Sequence, residues 1–280
     1  MHFRFLCAIV LTAASALAQD AITPNRKISL FNVKNLDGWS KWLRNNHHDD
    51  PKGVFTVTSK GEIRVSGEEW GGISTNSTYR NYHLVVEWRW GTKTWDARET
   101  KARDSGILIH GVGEDGAAGG VWLESIESQI IEGGAGDIIL VAGKNRPTAS
   151  ATIRQEGKEM IWDTKGEAVT RDRGRFNWWG RSPEWKDELG FRGAKDIESK
   201  TGEWNRQEVF ADGNRITYVL NGKVVNHAYD LANSAGKIQL QSEGAEIFFR
   251  KVEIEPVGKV PAPVSAEIPR REDHLYVRNR

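Results

Sequence analysis

Three short stretches space carboxylates, amides and a histidine in ways that could do chemistry. The densest is Glu124-Ser125-Ile126-Glu127-Ser128-Gln129-Ile130-Ile131-Glu132-Gly133-Gly134. Side chains alternate between the two faces of a strand. Glu127 and Gln129 therefore share a face with Ser125, while Ile126 and Ile130 point the other way. Such a strand divides an apolar core from a carboxylate–amide site, with Glu127 and Gln129 on a concave, solvent-open groove; a solvated edge strand would read the same way. Glu132 has the opposite parity and joins Glu127 only through a bulge, which the following glycines would permit. The second stretch is Arg103-Asp104-Ser105-Gly106-Ile107-Leu108-Ile109-His110-Gly111. Here His110 is apt for proton transfer near neutral pH or for a structural hydrogen bond. Asp104 shares its parity, or caps a turn. The third places Lys237, Gln239, Gln241 and Glu243 opposite Ile238 and Leu240. Amides both donate and accept, which suits sugar hydroxyls as well as solvent. No Ser-His-Asp order, phosphate-binding loop, dinucleotide glycine fingerprint or H-E-x-x-H occurs.

Twelve tryptophans and 29 glycines are unusual. Tryptophan fills sandwich cores, and its indole face also packs on the apolar face of a pyranose. Trp178 and Trp179 are the stacking candidates, since they lie in the polar run Arg171-Asp172-Arg173-Gly174-Arg175-Phe176-Asn177-Trp178-Trp179-Gly180-Arg181. This run is expected to wall the groove.

The elements that must position these groups read as strands. Tyr82–Trp90 alternates with Leu84, Val86, Trp88 and Trp90 on one face. Ser105–Gly111, Val121–Ile131, Asp137–Gly143, Lys237–Ser242 and Glu246–Ile254 follow the same pattern, and Asn221-Gly222 marks a two-residue hairpin turn. Amphipathic helices are absent. Many short strands with glycine-rich turns predict an all-β, two-sheet jelly-roll sandwich. The Lys144–Lys200 stretch breaks this rhythm and reads as part strand pair, part wall.

Met1–Leu17 has a basic start and an apolar run, and Ala16-Leu17-Ala18 precedes Gln19. This predicts a signal peptide over 1–18 and a secreted or periplasmic protein. Cleavage would remove Cys7, the one cysteine, and with it any disulfide or thiol chemistry. It would also remove Arg4, leaving 38 of the 39 basic residues against 38 acidic ones. That balance argues against nucleic acid or an anionic membrane as partner, and the apolar run is too short to span a bilayer. One jelly-roll domain is expected over 19–256, with an extended tail over 257–280. Oligomeric state is left open.

The ordered motifs together resemble the bacterial 3-keto-disaccharide hydrolase domain family. They are Asp-Ser-Gly-Ile-Leu-Ile-His-Gly (104–111), Ser-Ile-Glu-Ser-Gln-Ile-Ile-Glu-Gly-Gly (125–134) with Gly-Asp (136–137), Gly-Glu-Trp-Asn (202–205), Leu-Asn-Gly-Lys-Val-Val (220–225), Gly-Lys-Ile-Gln-Leu-Gln-Ser-Glu-Gly (236–244) and Phe-Phe-Arg-Lys-Val-Glu-Ile (248–254). The resemblance runs from about Ile28 to Pro256. It implies a concanavalin-A-like jelly roll acting on 3-keto-glucosides, by lyase and hydratase steps or net hydrolysis. Many relatives carry arginine where this chain has His110. The anion-binding or carbonyl-polarising role of that arginine is then missing, or filled by Arg103 or an arginine of the 171–181 run.

The implied reaction is chemically coherent. A ketone at C3 acidifies the C2 proton; a base removes it, the C1 substituent leaves, and water adds to the resulting 2-hydroxy-3-keto-glucal. The chain must supply a base, a stabiliser of the enolate oxygen and a proton donor. Glu127 or His110 is the expected base and Glu132 the donor. Gln129, an arginine or a divalent metal would stabilise the oxyanion, the metal held by Asp104, Asp137, Glu127 and His110. Asp104, Arg103, Trp178, Arg181 and Gln241 would bind substrate. Two other readings remain. Glu127-x-Gln129-x-x-Glu132 looks like the Glu-x-Asp-x-x-Glu strand of laminarinase-type glucanases, with Gln129 replacing the aspartate; a retaining glycosidase would need those carboxyl groups about 5–5.5 Å apart. A lectin-like or structural module with no turnover is the third.

Overall fold

The structure is a computed structural model, and it describes residues 21–262. The expected signal peptide, with Cys7, and the tail beyond residue 262 lie outside the described residues.

Two large antiparallel sheets face each other. The eight-stranded sheet comprises β1 (Ile28–Ser29), β3 (Phe55–Val57), β4 (Ile63–Val65), β6 (Tyr82–Thr94), β14 (Asn205–Asp212), β15 (Arg215–Leu220), β16 (Lys223–Ala228) and β18 (Ala245–Pro256). Its order is β16-β15-β14-β6-β18-β4-β3, with β1 on β18. The seven-stranded sheet comprises β2 (Trp39–Leu43), β5 (Gly71–Thr75), β7 (Asp104–Val112), β8 (Glu124–Ile131), β9 (Ile138–Val141), β13 (Gly174–Phe176) and β17 (Lys237–Ser242), ordered β13-β9-β8-β7-β17-β5-β2. Sequence-distant strands such as β7 and β17 are neighbours, as a jelly roll requires. The one helical turn among the described residues is the 3-10 segment Asp96–Glu99.

The core lies between the sheets and follows the alternation. Leu84, Val86, Trp88 and Trp90 of β6 are buried against Ile107 and Ile109 of β7, Ile126 and Ile130 of β8, and Ile238 and Leu240 of β17. Each fully buried side chain of this size contributes about 1.5–3 kcal/mol. One polar bridge crosses the core: Gln207 of β14 accepts the Trp88 indole N–H at 2.9 Å and donates to Ser128 of β8 at 2.6 Å. Ser128 thereby confirms which face of β8 looks inward.

Turn chemistry matches the sequence where it is most explicit. Leu220 pairs with Lys223 across Asn221 (φ 49) and Gly222 (φ 81), the positive dihedrals that a tight hairpin turn needs. The irregular stretch holds a third sheet, β11-β10-β12, made of β10 (Ala149–Glu156), β11 (Glu159–Trp162) and β12 (Glu167–Arg171). It then returns through β13 to extend the seven-stranded sheet beside β9.

Candidate active site

The outer face of the seven-stranded sheet collects the polar residues. Asp104 pairs with Ile131, Gly106 with Gln129 and Leu108 with Glu127 across β7 and β8. Gln239 pairs with Leu108 across β17 and β7, which puts Gln241 on the same face. Glycine at position 106 is what lets two acceptors meet there. A Cβ at that position would overlap Glu127 Oε1 and lie 2.6 Å from Gln241 Oε1. Both oxygens are buried without a hydrogen-bond partner, as is Asp104 Oδ1.

Glu127 and Gln129 do face the side opposite Ile126 and Ile130, as the alternation predicts. They are not open to solvent, however: only 4% and 3% of their surfaces are exposed. The segment after β13 packs over Glu132 just beyond the end of β8. Its Trp185 indole N–H donates to the Glu132 carbonyl at 2.9 Å, and Gly190 N donates to Glu132 Oε2 at 2.8 Å. A single strand shows none of this covering.

Beside the covered residues lies a cavity of about 400 Å³, lined by Arg98, Asp104, Ile131, Arg175, Arg181 and Trp185 among others. That is within the size range of small-molecule sites. Arg98 contacts Asp104 and lies 3.2 Å from Asp187 and 3.3 Å from Glu243. Arg181 pairs with Asp137 at 2.7 Å and stacks over Trp185 at 4.0 Å. Arg175 reaches the same Asp137 oxygen at 3.3 Å, with 32% of its side chain exposed. Arg98 gave no signal in the sequence, where it is one charge in a turn. Arg175 and Glu243 lay within stretches singled out there, without a role.

The electrostatics follow from crowding carboxyls in a dry place. Burial raises Asp104 to about 6, against the pull of Arg98. Burial and then the neighbouring Asp104 push Glu127 well above the carboxylate range. Glu243 is pushed well above it too, by burial and then by Asp104 and Glu127. Burial and mutual repulsion thus favour the protonated form of all three carboxyls, against the pull of Arg98 and Arg175.

Several expectations are corrected. His110 does not share the Asp104 face. Pairing of β7 shifts register between Ile109 and Val112, and His110 takes a left-handed φ of 53. This bulge turns its ring inward against Tyr82, 6.0 Å away, with both ring nitrogens buried and unpartnered. Burial lowers its pKa to about 4. Glu132 joins Glu127 by no bulge, since β8 runs in regular register from Ser125 to Ile131. Its carboxylate is spent on Arg103, at 2.6 Å, and on backbone amides. Arg103 is therefore an anchor of the covering segment and does not line the cavity. Trp178 is a core residue, 2% exposed, with its backbone N–H on Asp137; Trp179 is buried with it. Of the expected wall, Arg175 and Arg181 line the cavity and the tryptophans brace it from behind. Asp104, Asp137, Glu127 and His110 do not form a metal site. His110 points into the core, Asp137 is neutralised by two arginines, and no cluster of three or more such ligands occurs among the described residues.

The model of the 3-keto-alpha-glucoside-1,2-lyase-like domain matches residues 26–255. The chain belongs to this family. The 3-keto-alpha-glucoside-1,2-lyase-like domain therefore makes up nearly all of the described structure and is carbohydrate-active in class. No curated protein matched the chain. Among solved structures it is similar to a Parabacteroides distasonis protein described as a glycosyl hydrolase, at 20% identity and TM-score 0.49, covering 82% of this chain and 94% of that one. It is also similar to a β-glucanase from Bacillus licheniformis, at 13% identity and TM-score 0.43, covering 82% and 98%. A third is carbohydrate-binding module CBM66 from Bacillus subtilis, at 12% identity and TM-score 0.40, covering 77% and 94%.

Proposed function

We propose that this domain cleaves 3-keto-glucosides by removing the C2 proton and expelling the C1 substituent. One observation carries the reading: Asp104, Glu127 and Glu243 crowd one sheet face beside Arg98 and Arg175, at the edge of a sugar-sized cavity. The reaction needs an ionised base, a protonated donor and a cation for the enolate oxygen, and this set supplies all three.

Asp104 is the base in this scheme, because it lies on the cavity wall, is ionised above about pH 6 and has an unpartnered oxygen. Its carboxylate takes the C2 proton, and the C2–H electron pair becomes the enolate, with charge on the C3 oxygen. Arg175, partly exposed and holding spare N–H groups, stabilises that oxygen. The enolate then re-forms the C3 ketone and a C1–C2 double bond as the C1–O bond breaks. Glu243 protonates the leaving oxygen. Glu127, beneath the cavity, keeps the shape of the floor. Water added across the double bond completes net hydrolysis. The glucanase reading loses its acid–base pair, since Glu132 is tied to Arg103.

The test compares a 3-keto-glucoside with its unoxidised parent and follows deuterium exchange at C2. Expected are turnover of the keto sugar alone, C2 exchange, and a rate that rises with pH through about 6 as Asp104 ionises. Asp104→Asn should lower the rate by a factor on the order of 10²–10⁴. Equal turnover of both sugars would overturn the reading, and binding without turnover would make the domain a lectin. The protein's export is part of the proposal. Material from outside the cytoplasm should begin at Gln19, and an intact Met1 there would refute cleavage.

A further inference from the structure

The segment that packs over Glu132 forms part of the cavity wall without belonging to the core. Ser182, Pro183, Trp185 and Asp187 supply its share of that wall. No residue from Ser182 to Ile197 is buried, whereas Arg181 before it and Glu198 after it both are. The two ends are fixed. Arg181 pairs with Asp137 at 2.7 Å; Glu198 accepts the Trp90 indole N–H at 2.7 Å, and Arg192 bonds to the Glu198 carbonyl. Between the ends the chain holds itself through short turns, with Trp185 N on the Ser182 carbonyl and Phe191 N on the Glu188 carbonyl.

Among the described residues, the polar contacts of Ser182–Phe191 with the rest of the domain fall on two places. The first is the end of β8. There Trp185 Nε1 donates to the Glu132 carbonyl at 2.9 Å and Gly190 N donates to Glu132 Oε2 at 2.8 Å. The Phe191 and Trp185 rings lie 2.7 and 3.1 Å from where a Cβ on Gly133 would stand, so this glycine is what lets them settle. The second place is the 3-10 turn and the residues after it. Leu189 N donates to the Thr100 carbonyl at 3.0 Å, and Asp187 lies 3.2 Å from Arg98 and 3.3 Å from Lys101. A unit with no buried residue, held by a few polar contacts, opens at a lower free energy than the sheets. Arg98 also contacts Asp104 and lies 3.3 Å from Glu243. One guanidinium therefore joins this segment to the carboxyl group assigned as the base.

We propose that Ser182–Phe191 is a strap on the cavity wall that opens independently of the sheets, that Asp187 latches it through Arg98 and Lys101, and that the latch acts on Asp104 through Arg98. The charged groups that face Asp104 are Arg98 of the 3-10 turn, Arg175 of β13, Arg181, Asp187, Glu127 of β8 and Glu243 after β17. Of these, Asp187 is the one the strap carries. With the strap shut, Asp187 shares Arg98 and strengthens the hold of Asp104 on a proton. With the strap lifted, Arg98 is left to favour the Asp104 carboxylate. Closure thus leaves the stronger base facing the cavity. Asp187 is a positioning residue in this scheme. Its effect on the reaction rests on Asp104 being the base; the strap and its latch do not.

Amide hydrogen exchange followed by NMR tests the strap without any sugar. The Leu189 and Gly190 amides, both hydrogen-bonded to the body of the domain, should exchange far faster than the amides of β8. Asp187→Asn should speed those two by about tenfold, the scale of one lost charge-assisted hydrogen bond, and leave β8 unchanged. Protection equal to that of β8, or no acceleration in Asp187→Asn, would overturn the strap and its latch. The action on Asp104 is read from the pH–rate profile on a 3-keto-glucoside. In Asp187→Asn the rise assigned to Asp104 should move to lower pH by about half a unit or more, and Asp187→Glu should bring it back toward its place in the unaltered protein. A profile that stays where it was would overturn that action. If no keto sugar turns over, the reaction fails, and the Asp104 carboxyl resonance in an NMR pH titration decides the coupling by the same shift.

Discussion

The Glu127 carboxyl group occupies the space that a side chain on Gly106 would fill, on the strand next to its own. Two residues along, about 7 Å at a strand's rise, stands Asp104, so the two carboxyls share one face. Gly106→Ala should displace Glu127 and the Gln241 amide without adding charge. Steady-state assay on a 3-keto-glucoside should show a fall on the order of 10²-fold, the scale of a misplacement of about 1 Å in a site. The melting temperature should change little, because the ends of flexible side chains can yield. Full activity in this variant would show that Glu127 and Gln241 do not set the site's shape.

Trp178 tests the separation of core from wall. It is among the largest fully buried side chains, and Gly180 packs against its ring. Trp178→Ala should cost about 3–5 kcal/mol, read from a denaturant titration. Loss of ligand affinity with unchanged stability would return Trp178 to the binding surface.

His110 gives a pH signature of stability. Its pKa falls from 6.5 unfolded to about 4 folded, so the unfolded chain binds the proton more readily. The contribution is intact above pH 6.5 and is lost as pH falls toward 4, by about 3 kcal/mol at 1.36 kcal/mol per unit. His110→Asn, which tolerates the left-handed backbone, should flatten the decline between pH 6.5 and 4 relative to the unaltered protein. Turnover near pH 7.5 should persist, whereas abolished C2 exchange in a folded variant would restore His110 as a catalytic candidate.

Glu198 has the opposite sign. It is fully buried, accepts the Trp90 indole N–H at 2.7 Å and has a pKa raised to about 8 from 4.5. The folded state keeps its proton where the unfolded chain has lost it, so stability falls as pH rises from 4.5 to 8. Glu198→Gln keeps the acceptor and removes the titration. Its melting temperature should exceed that of the unaltered protein at pH 9 and differ little at pH 4. An unchanged difference between the two pH values would place the proton elsewhere.

The fold was legible in the sequence because sheet burial has period two. Alternation in Tyr82–Trp90 and Glu124–Ile131 determined which side chains enter the core, and Asn221-Gly222 determined one turn. The faces of Glu127, Gln129 and Gln241 followed from the same rule. Alternation says nothing of what covers a face, so the burial of Glu127, and the packing of the segment carrying Trp185 over Glu132, appeared only in three dimensions. Nor does it survive a bulge: one left-handed residue turned His110 from the site into the core. Arg98 reaches Asp104, Asp187 and Glu243 across six, 89 and 145 residues of chain. Which arginine meets which carboxylate is set by how the loops close over the sheet, and only the tertiary structure decides that.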